Sequence, residues 1–382
     1  MGPILPNTSA ARLPELDGLR ALAILLVLAA HYLSCVPITR FRWFIERGWV
    51  GVDLFFVLSG FLIGGILWDQ RAASNYYGVF YLRRFMRIVP LYALLVVPGL
   101  VVVICGLQSY FGGHSLAGQS AMNLWFCVLF LQNFVWLFQM DLPNYLVPTW
   151  SVAMEEQFYL LLPPLVRNIE PKKLLKILAL AIVFAPLLRG AMFLTIGPGA
   201  AKSCYALLPC RWDSLLLGVV CALAFRDATF RSWMATRWRW LQIFWWLSVL
   251  VAMAMLFGTQ GRLDPHMGFL GYTVIDVCFA STLLLAVMNQ AGHLHQFLSQ
   301  PFFKPVATIS YGLYLLHSPM IALAESVFHF AHIQYDKIGW TATGVALLAL
   351  AATVLAATVS WKFFERWMIG LGHHYRYQQP VE

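Results

Sequence analysis

The residues able to do chemistry begin in the first apolar run, which carries Asp17, Arg20 and His31. A charge at bilayer depth costs about 2.5–3.5 kcal/mol on insertion scales, so each one needs a reason. Arg20 and His31 are eleven residues apart, which on a helix places them about 20° from one face and roughly 16 Å apart along the axis. One reading is a pore wall, with a cation for a phosphate-rich molecule near one end and a proton acceptor deeper in. The other is a snorkelling arginine and a histidine bonded to neighbouring backbone.

Asp53 lies in the next run, Gly51-Val52-Asp53-Leu54-Phe55-Phe56-Val57-Leu58-Ser59-Gly60-Phe61. Level with His31, its carboxylate would fix the ring tautomer and raise the basicity of the other nitrogen; a salt bridge to Arg42 or Arg47 is the competing reading. Arg84 and Arg87, in Arg83-Arg84-Phe85-Met86-Arg87, share a helix face. Paired guanidiniums grip phosphate oxygens well, although arginines at a membrane boundary also serve simply to hold a helix in place. In Thr149-Trp150-Ser151-Val152-Ala153-Met154-Glu155-Glu156, helix capping accounts for one carboxylate, leaving the other for acid–base or orienting work. Arg211 and Asp213 are expected to contact each other. Tyr311, Tyr314 and His317 recur every three residues, one face of a helix suited to lining a cavity. Asp276 and Glu325 are expected to be buried acids without an obvious partner.

These residues must be positioned by membrane helices. Of the 382 residues, 60% are hydrophobic and 11% charged, too little charge to cover a soluble enzyme. The net charge of +9 reads as cytoplasmic loops rather than as nucleic-acid binding. Spans are expected at Leu16–Cys35, Trp49–Trp68, Ile88–Leu107 and Thr149–Val166, then at 174–195, 206–225, 240–258, 269–290, 306–330 and 339–361. The basic clusters Arg71/Arg83/Arg84/Arg87, Arg167/Lys172/Lys173/Lys176, Arg226/Arg231/Arg237/Arg239 and Lys362/Arg366/Arg376 then fall inside. The loop Gln108–Ala121, without Lys or Arg, falls outside. The first outer loop breaks the rule with Arg40, Arg42 and Arg47, facing an anionic substrate or the interface. Keeping the basic loops inside requires Asn123–Met140 to be interfacial or re-entrant. The expected fold is therefore an all-α integral membrane protein of about ten transmembrane helices plus that segment, both termini cytoplasmic, in one domain spanning 1–382. The seven cysteines show no CxxC spacing and read as small buried hydrophobes, with Cys204 and Cys210 as one conceivable pair. No metal is required.

The order Leu16-Asp17-Gly18-Leu19-Arg20 through His31, the Gly51–Phe61 block, Arg84–Pro90, Trp150–Tyr159 and Ile309-Ser310-Tyr311-Gly312-Leu313-Tyr314-Leu315-Leu316-His317 resembles the acyltransferase-3 family of multi-pass membrane O-acyltransferases. The resemblance covers about Leu16 to Arg366. It implies an Arg-x10-His feature on Arg20 and His31, with His31 at the transfer centre, and an RxxR pair on Arg84 and Arg87 holding acyl-CoA phosphates at the cytoplasmic mouth. It puts the acidic block on Trp150, Glu155 and Glu156. Catalysis is then expected from His31, Asp53 and Glu155, donor binding from Arg20, Arg84 and Arg87, and substrate binding from Trp150, Glu156, Tyr311, Tyr314, His317, Arg211 and Asp213. The implied reaction moves an acetyl or other short acyl group from acyl-CoA to a hydroxyl of a glycan or lipid-linked sugar, in a bacterial inner membrane. General-base and acyl-histidine versions both fit. Many relatives carry a C-terminal SGNH hydrolase-like domain; with about twenty residues after the last span, it is expected to be absent here. A transporter or flippase for a sugar or lipid-linked intermediate is the alternative, disfavoured by the lack of internal symmetry.

Overall fold

A computed structural model of the chain describes residues 13–37, 39–105, 121–140, 142–330 and 338–379. The expected outer loop at 108–121 falls almost entirely outside the described residues, as does the side chain of Arg40. Every regular element among the described residues is helical. Among the described residues ten helices have 17 or more residues: α1 (Pro14–Tyr32), α2 (Val50–Asp69), α3 (Tyr76–Ile104), α4 (Trp150–Asn168), α5 (Pro171–Ile196), α6 (Leu208–Arg226), α7 (Trp238–Gly258), α8 (Tyr272–Met288), α9 (Ser310–Phe330) and α10 (Trp340–Ser360). Seven continuous helical stretches, built on α2, α3, α5, α6, α7, α8 and α10, are long and apolar enough to cross a membrane. The other three, α1, α4 and α9, carry Arg20 and His31, Glu155 and Glu156, and Tyr314 and His317.

One expectation about an element boundary changes, and the reading of 123–140 as a segment that does not cross stands. The basic stretch before Ile88 is not a loop, since α3 runs unbroken from Tyr76. Its sequence explains why: Tyr76, Val79 and Phe80 recur at helical spacing and are all buried, so the stretch packs as a helix before the arginines are reached. Between 121 and 140 the chain forms an eight-residue helix, Ala121–Val128, followed by turns. At about 1.5 Å per residue that helix cannot cross roughly 30 Å of hydrocarbon.

The helices fall into two compact units, the division passing within α1 and α4. In the first (1–27, 49–71 and 158–308), α2 runs alongside α6 at close range. A Cβ on Gly60 would strike the Leu215 carbonyl, and one on Gly218 the Val57 carbonyl. Small residues are what let membrane helices approach so closely. Leu54, Val57, Leu58 and Phe61 of α2 pack with Ala222 and Phe225 of α6, Leu283 and Ala286 of α8, and Leu16 and Leu19 of α1. At one end of this unit the basic residues gather. Arg226 grips Asp69 with two hydrogen bonds of 2.6 and 2.7 Å, and Arg71 donates to the carbonyls of Arg167 and Ile169 at 3.2 and 2.6 Å.

In the second unit (28–48, 72–157 and 309–382), α9 packs on α10, and the helix Arg366–His374 packs on α3. The buried amide of Gln132 donates to Tyr92 Oη and to the Thr149 carbonyl, both at 2.9 Å, tying the turn after Ala121–Val128 to α3 and to the start of α4.

Candidate active site

The imidazole expected at the transfer centre lies in the second unit, near the C-terminal end of α1. The His31 ring is exposed and meets the ring of His317 at 4.6 Å between centroids, inclined by 66°. His317 is fully buried on α9. Its Nδ1 lies against the carbonyl of Tyr314, one turn earlier. The neighbouring hydroxyls hold this arrangement. Tyr32 donates to the His317 carbonyl at 3.0 Å and touches Thr353 Oγ1 at 2.6 Å. Tyr314 donates to the Pro148 carbonyl at 3.0 Å and lies 2.6 Å from Ser151 Oγ, so the start of α4 is fastened to α9. Of the expected Tyr311–Tyr314–His317 face, His317 meets His31 and Tyr314 lies against His317, ring centres 5.7 Å apart, whereas Tyr311 turns to α3 and donates to the Ile88 carbonyl at 2.9 Å.

The arginine pair of α3 is in the same unit. Arg84 has Glu156 of α4 within electrostatic range, and Arg87 has Glu365. The Arg84 guanidinium also lies over Phe80, 5.9 Å from the ring centre. Glu156 Oε1 is buried without a hydrogen-bond partner among the described residues, and Glu365 accepts from Ser360 at 2.8 Å. Glu155 is half-buried, and Trp150 is buried at the head of α4. This group brings two cations and two carboxylates together, a setting in which an entering phosphate would compete with carboxylates for the guanidiniums.

Asp53 answers to a partner the sequence did not offer. In the first unit Arg211 donates to Asp53 Oδ1, and both side chains are wholly buried. The expected Arg211–Asp213 contact is replaced as well. Asp213 Oδ2 takes Nη1 and Nη2 of Arg189 at 3.0 and 3.1 Å and the hydroxyl of Thr273 at 2.6 Å. Two residues apart on α6, Arg211 and Asp213 point about 200° from one another and must pair with different helices. Tyr272 lies between the two arginines, its ring 4.1 Å from the Arg211 guanidinium and 5.5 Å from that of Arg189. Asp276 joins this region through Ser214, which donates at 2.7 Å. Arg189 is the residue that reading the sequence missed; a lone arginine mid-way along an apolar run was the available signal. Arg20 sits 3.6 Å from Asp17, one turn before it.

Three lesser expectations resolve. Arg42 pairs with Glu46 at 2.7 Å and Arg47 covers the Trp43 ring at 4.7 Å. Glu325 is exposed rather than buried. All seven cysteines are free thiols, with Cys204 and Cys210 both directed at the Met192 sulfur.

The second unit thus holds two histidines in ring contact, one exposed and one buried, and two arginines within electrostatic range of two carboxylates. The chain belongs to the acyltransferase-3 family, whose acyltransferase-domain model matches residues 13–362. Among its curated relatives, the peptidoglycan O-acetyltransferase OatA of Listeria monocytogenes is 32% identical over 92% of this chain and 55% of its own length. The O-acetyltransferase OatA of Staphylococcus aureus is 26% identical over 92% of this chain and 56% of its own length. The chain therefore spans a little over half the length of these relatives. No solved structure matches it. Family membership and the seven apolar helices make it a multi-pass integral membrane protein and set the transporter reading aside.

Proposed function

We propose that this protein is a bacterial cell-membrane O-acetyltransferase that moves an acetyl or short acyl group from a cytoplasmic acyl-CoA to a hydroxyl of a cell-wall glycan. The observation that carries this reading is the exposed His31 ring set against the buried His317 within a family of acyltransferases. All ten long helices cross the bilayer in this reading, with the Asp69–Arg226 and Arg71–Arg167 end of the first unit facing the cytoplasm. Both termini are then cytoplasmic.

The donor's phosphates bind Arg84 and Arg87, which exchange part of their electrostatic pairing with Glu156 and Glu365 for phosphate oxygens. Arg20 is assigned to donor binding by the family motif alone. His31 takes the proton of the acceptor hydroxyl as its oxygen attacks the thioester carbonyl. The carbon–sulfur bond then breaks, and the CoA thiolate leaves with the proton from His31. In the covalent version His31 itself displaces the thiolate and passes the acyl group to the hydroxyl. Glu155, Glu156, Trp150 and Tyr314 flank the route and are assigned to holding the acceptor. Asp53, Arg211 and Asp213 are assigned to the framework, because each is committed to an ion pair in the first unit.

The test uses the full chain in nanodiscs with acetyl-labelled acetyl-CoA and soluble peptidoglycan fragments. Base-labile label on the glycan, absent in His31→Ala, is the expected result. Label transfer that persists in His31→Ala would overturn the assignment. Transfer from another acetyl thioester but not from acetyl-CoA would replace the donor.

A further inference from the structure

The tautomer of His317 follows from its contacts. A carbonyl only accepts hydrogen bonds, so Nδ1, which lies against the Tyr314 carbonyl, carries the proton. The lone pair is then on Nε2. That atom is buried and has no hydrogen-bond partner among the described residues. A buried acceptor left unsatisfied is destabilising unless a donor reaches it. The ring beside it is His31, which is exposed and inclined at 66°. Tyr32, the residue after His31, fixes the His317 carbonyl from α1, so the two rings are held together by backbone as well as by contact. Asp53, the carboxylate that the sequence suggested for this histidine, is bound by Arg211.

We propose that His317 Nε2 is the positioning acceptor of His31. A small rotation of the exposed ring aims one His31 N–H at Nε2 and presents the other nitrogen, with its lone pair, to the acceptor hydroxyl. When His31 takes the hydroxyl proton it becomes an imidazolium, and its N–H bond to Nε2 strengthens. The proton continues from His31 to the departing sulfur, while His317 neither gains nor loses one. The orienting group is thus a neutral imidazole, acting as a fixed acceptor without adding a charge to the bilayer interior. Among the described residues, Tyr32 on α1 and Tyr314 on α9 are titratable groups that contact the pair; α10 contributes the Thr353 hydroxyl and the head of α4 the Ser151 hydroxyl. This inference rests on His31 being the transferring residue.

The experiment compares wild type, His317→Ala, His317→Gln and His31→Ala as full chains in nanodiscs, following kcat, donor KM and the pH dependence of kcat/KM. Removing the acceptor lowers kcat about 100-fold, the lower end of what acid–base catalysis supplies, and leaves donor KM unchanged. It also moves the acidic limb to lower pH, because the His31 imidazolium loses a stabilising partner. Gln, whose side-chain oxygen accepts, restores the limb and part of the rate. Histidine 15N spectra of wild type give an independent reading, with a protonated Nδ1 and an unprotonated Nε2 on His317. An acidic limb unmoved in His317→Ala, or a His317 proton on Nε2, refutes the inference while an inactive His31→Ala leaves the reading of His31 standing. Full activity in His31→Ala removes both.

Discussion

Arg211 and Asp53, 158 positions apart, form an ion pair in which neither side chain is exposed, and Tyr272 covers the guanidinium face. A second wholly buried pair, Arg189 and Asp213, sits beside it on the other side of the same tyrosine. Asp53 and Asp69 mark opposite ends of α2, about 24 Å apart at 1.5 Å per residue, and each is bound by an arginine of α6. The two helices are thus pinned in parallel at both ends, with the Gly60–Gly218 approach between the pins.

Breaking one partner of the inner pair leaves a buried charge uncompensated, which costs about 3–5 kcal/mol. Asp53→Asn and Arg211→Ala are each expected to lower the unfolding midpoint in detergent strongly. The double substitution Asp53→Leu/Arg211→Met should lose much less than either single one. A stable Asp53→Asn protein without activity would instead return Asp53 to the chemistry.

The close approach of α2 and α6 sets a second expectation. Gly60→Ala or Gly218→Ala forces backbone apart, because the new methyl meets a main-chain carbonyl, and the yield of monodisperse protein should fall sharply. Gly78→Ala on α3, where nothing lies within 4 Å of the added carbon, is the neutral comparison. Size-exclusion profiles of the three variants decide it.

Asp227 caps the helix Ala228–Thr236 by accepting from the backbone N–H groups of Thr229 at 2.7 Å and Phe230 at 3.1 Å. Those bonds, the Phe230 one foremost, hold its carboxyl below the usual value of 3.8. A depressed folded-state value means the cap contributes fully above 3.8 and is lost as pH falls through the lower one. Amide exchange across 228–231 should therefore quicken only in strong acid. Asp227→Asn, which still accepts, should remove that pH dependence.

Arg84→Ala and Arg87→Ala are each expected to raise donor KM by about 10- to 100-fold, the loss of one charged hydrogen bond of about 1.5–3 kcal/mol. Turnover at saturating donor should change little. Equal losses in kcat and kcat/KM would place the arginines at the reacting atoms instead.

Much of this was legible in the chain itself. Long apolar runs with few charges specify membrane helices, and the extent of α2, α6 and α7 differs from the expected spans by a few residues. On α9, His317, which meets His31, and Tyr314 beside it were legible from their spacing of three. The partners were not. Whether Asp53 meets a histidine or an arginine depends on which helices neighbour one another, and no periodicity within a single helix encodes that. Arg189 escaped because its charge is diluted within the 26 residues of α5, most of them apolar. The start of α3 was misjudged because loop charge and helix charge look alike until Tyr76, Val79 and Phe80 are seen to share a buried face.

The most direct measurement is thiol release from acetyl-CoA by the reconstituted chain, run side by side for wild type, His31→Ala and the Arg84→Ala/Arg87→Ala double variant, with a peptidoglycan-derived acceptor present. The account predicts acceptor-stimulated release by wild type, none by His31→Ala despite retained binding of labelled donor, and weakened donor binding in the double variant. Release by His31→Ala at the wild-type rate would contradict it.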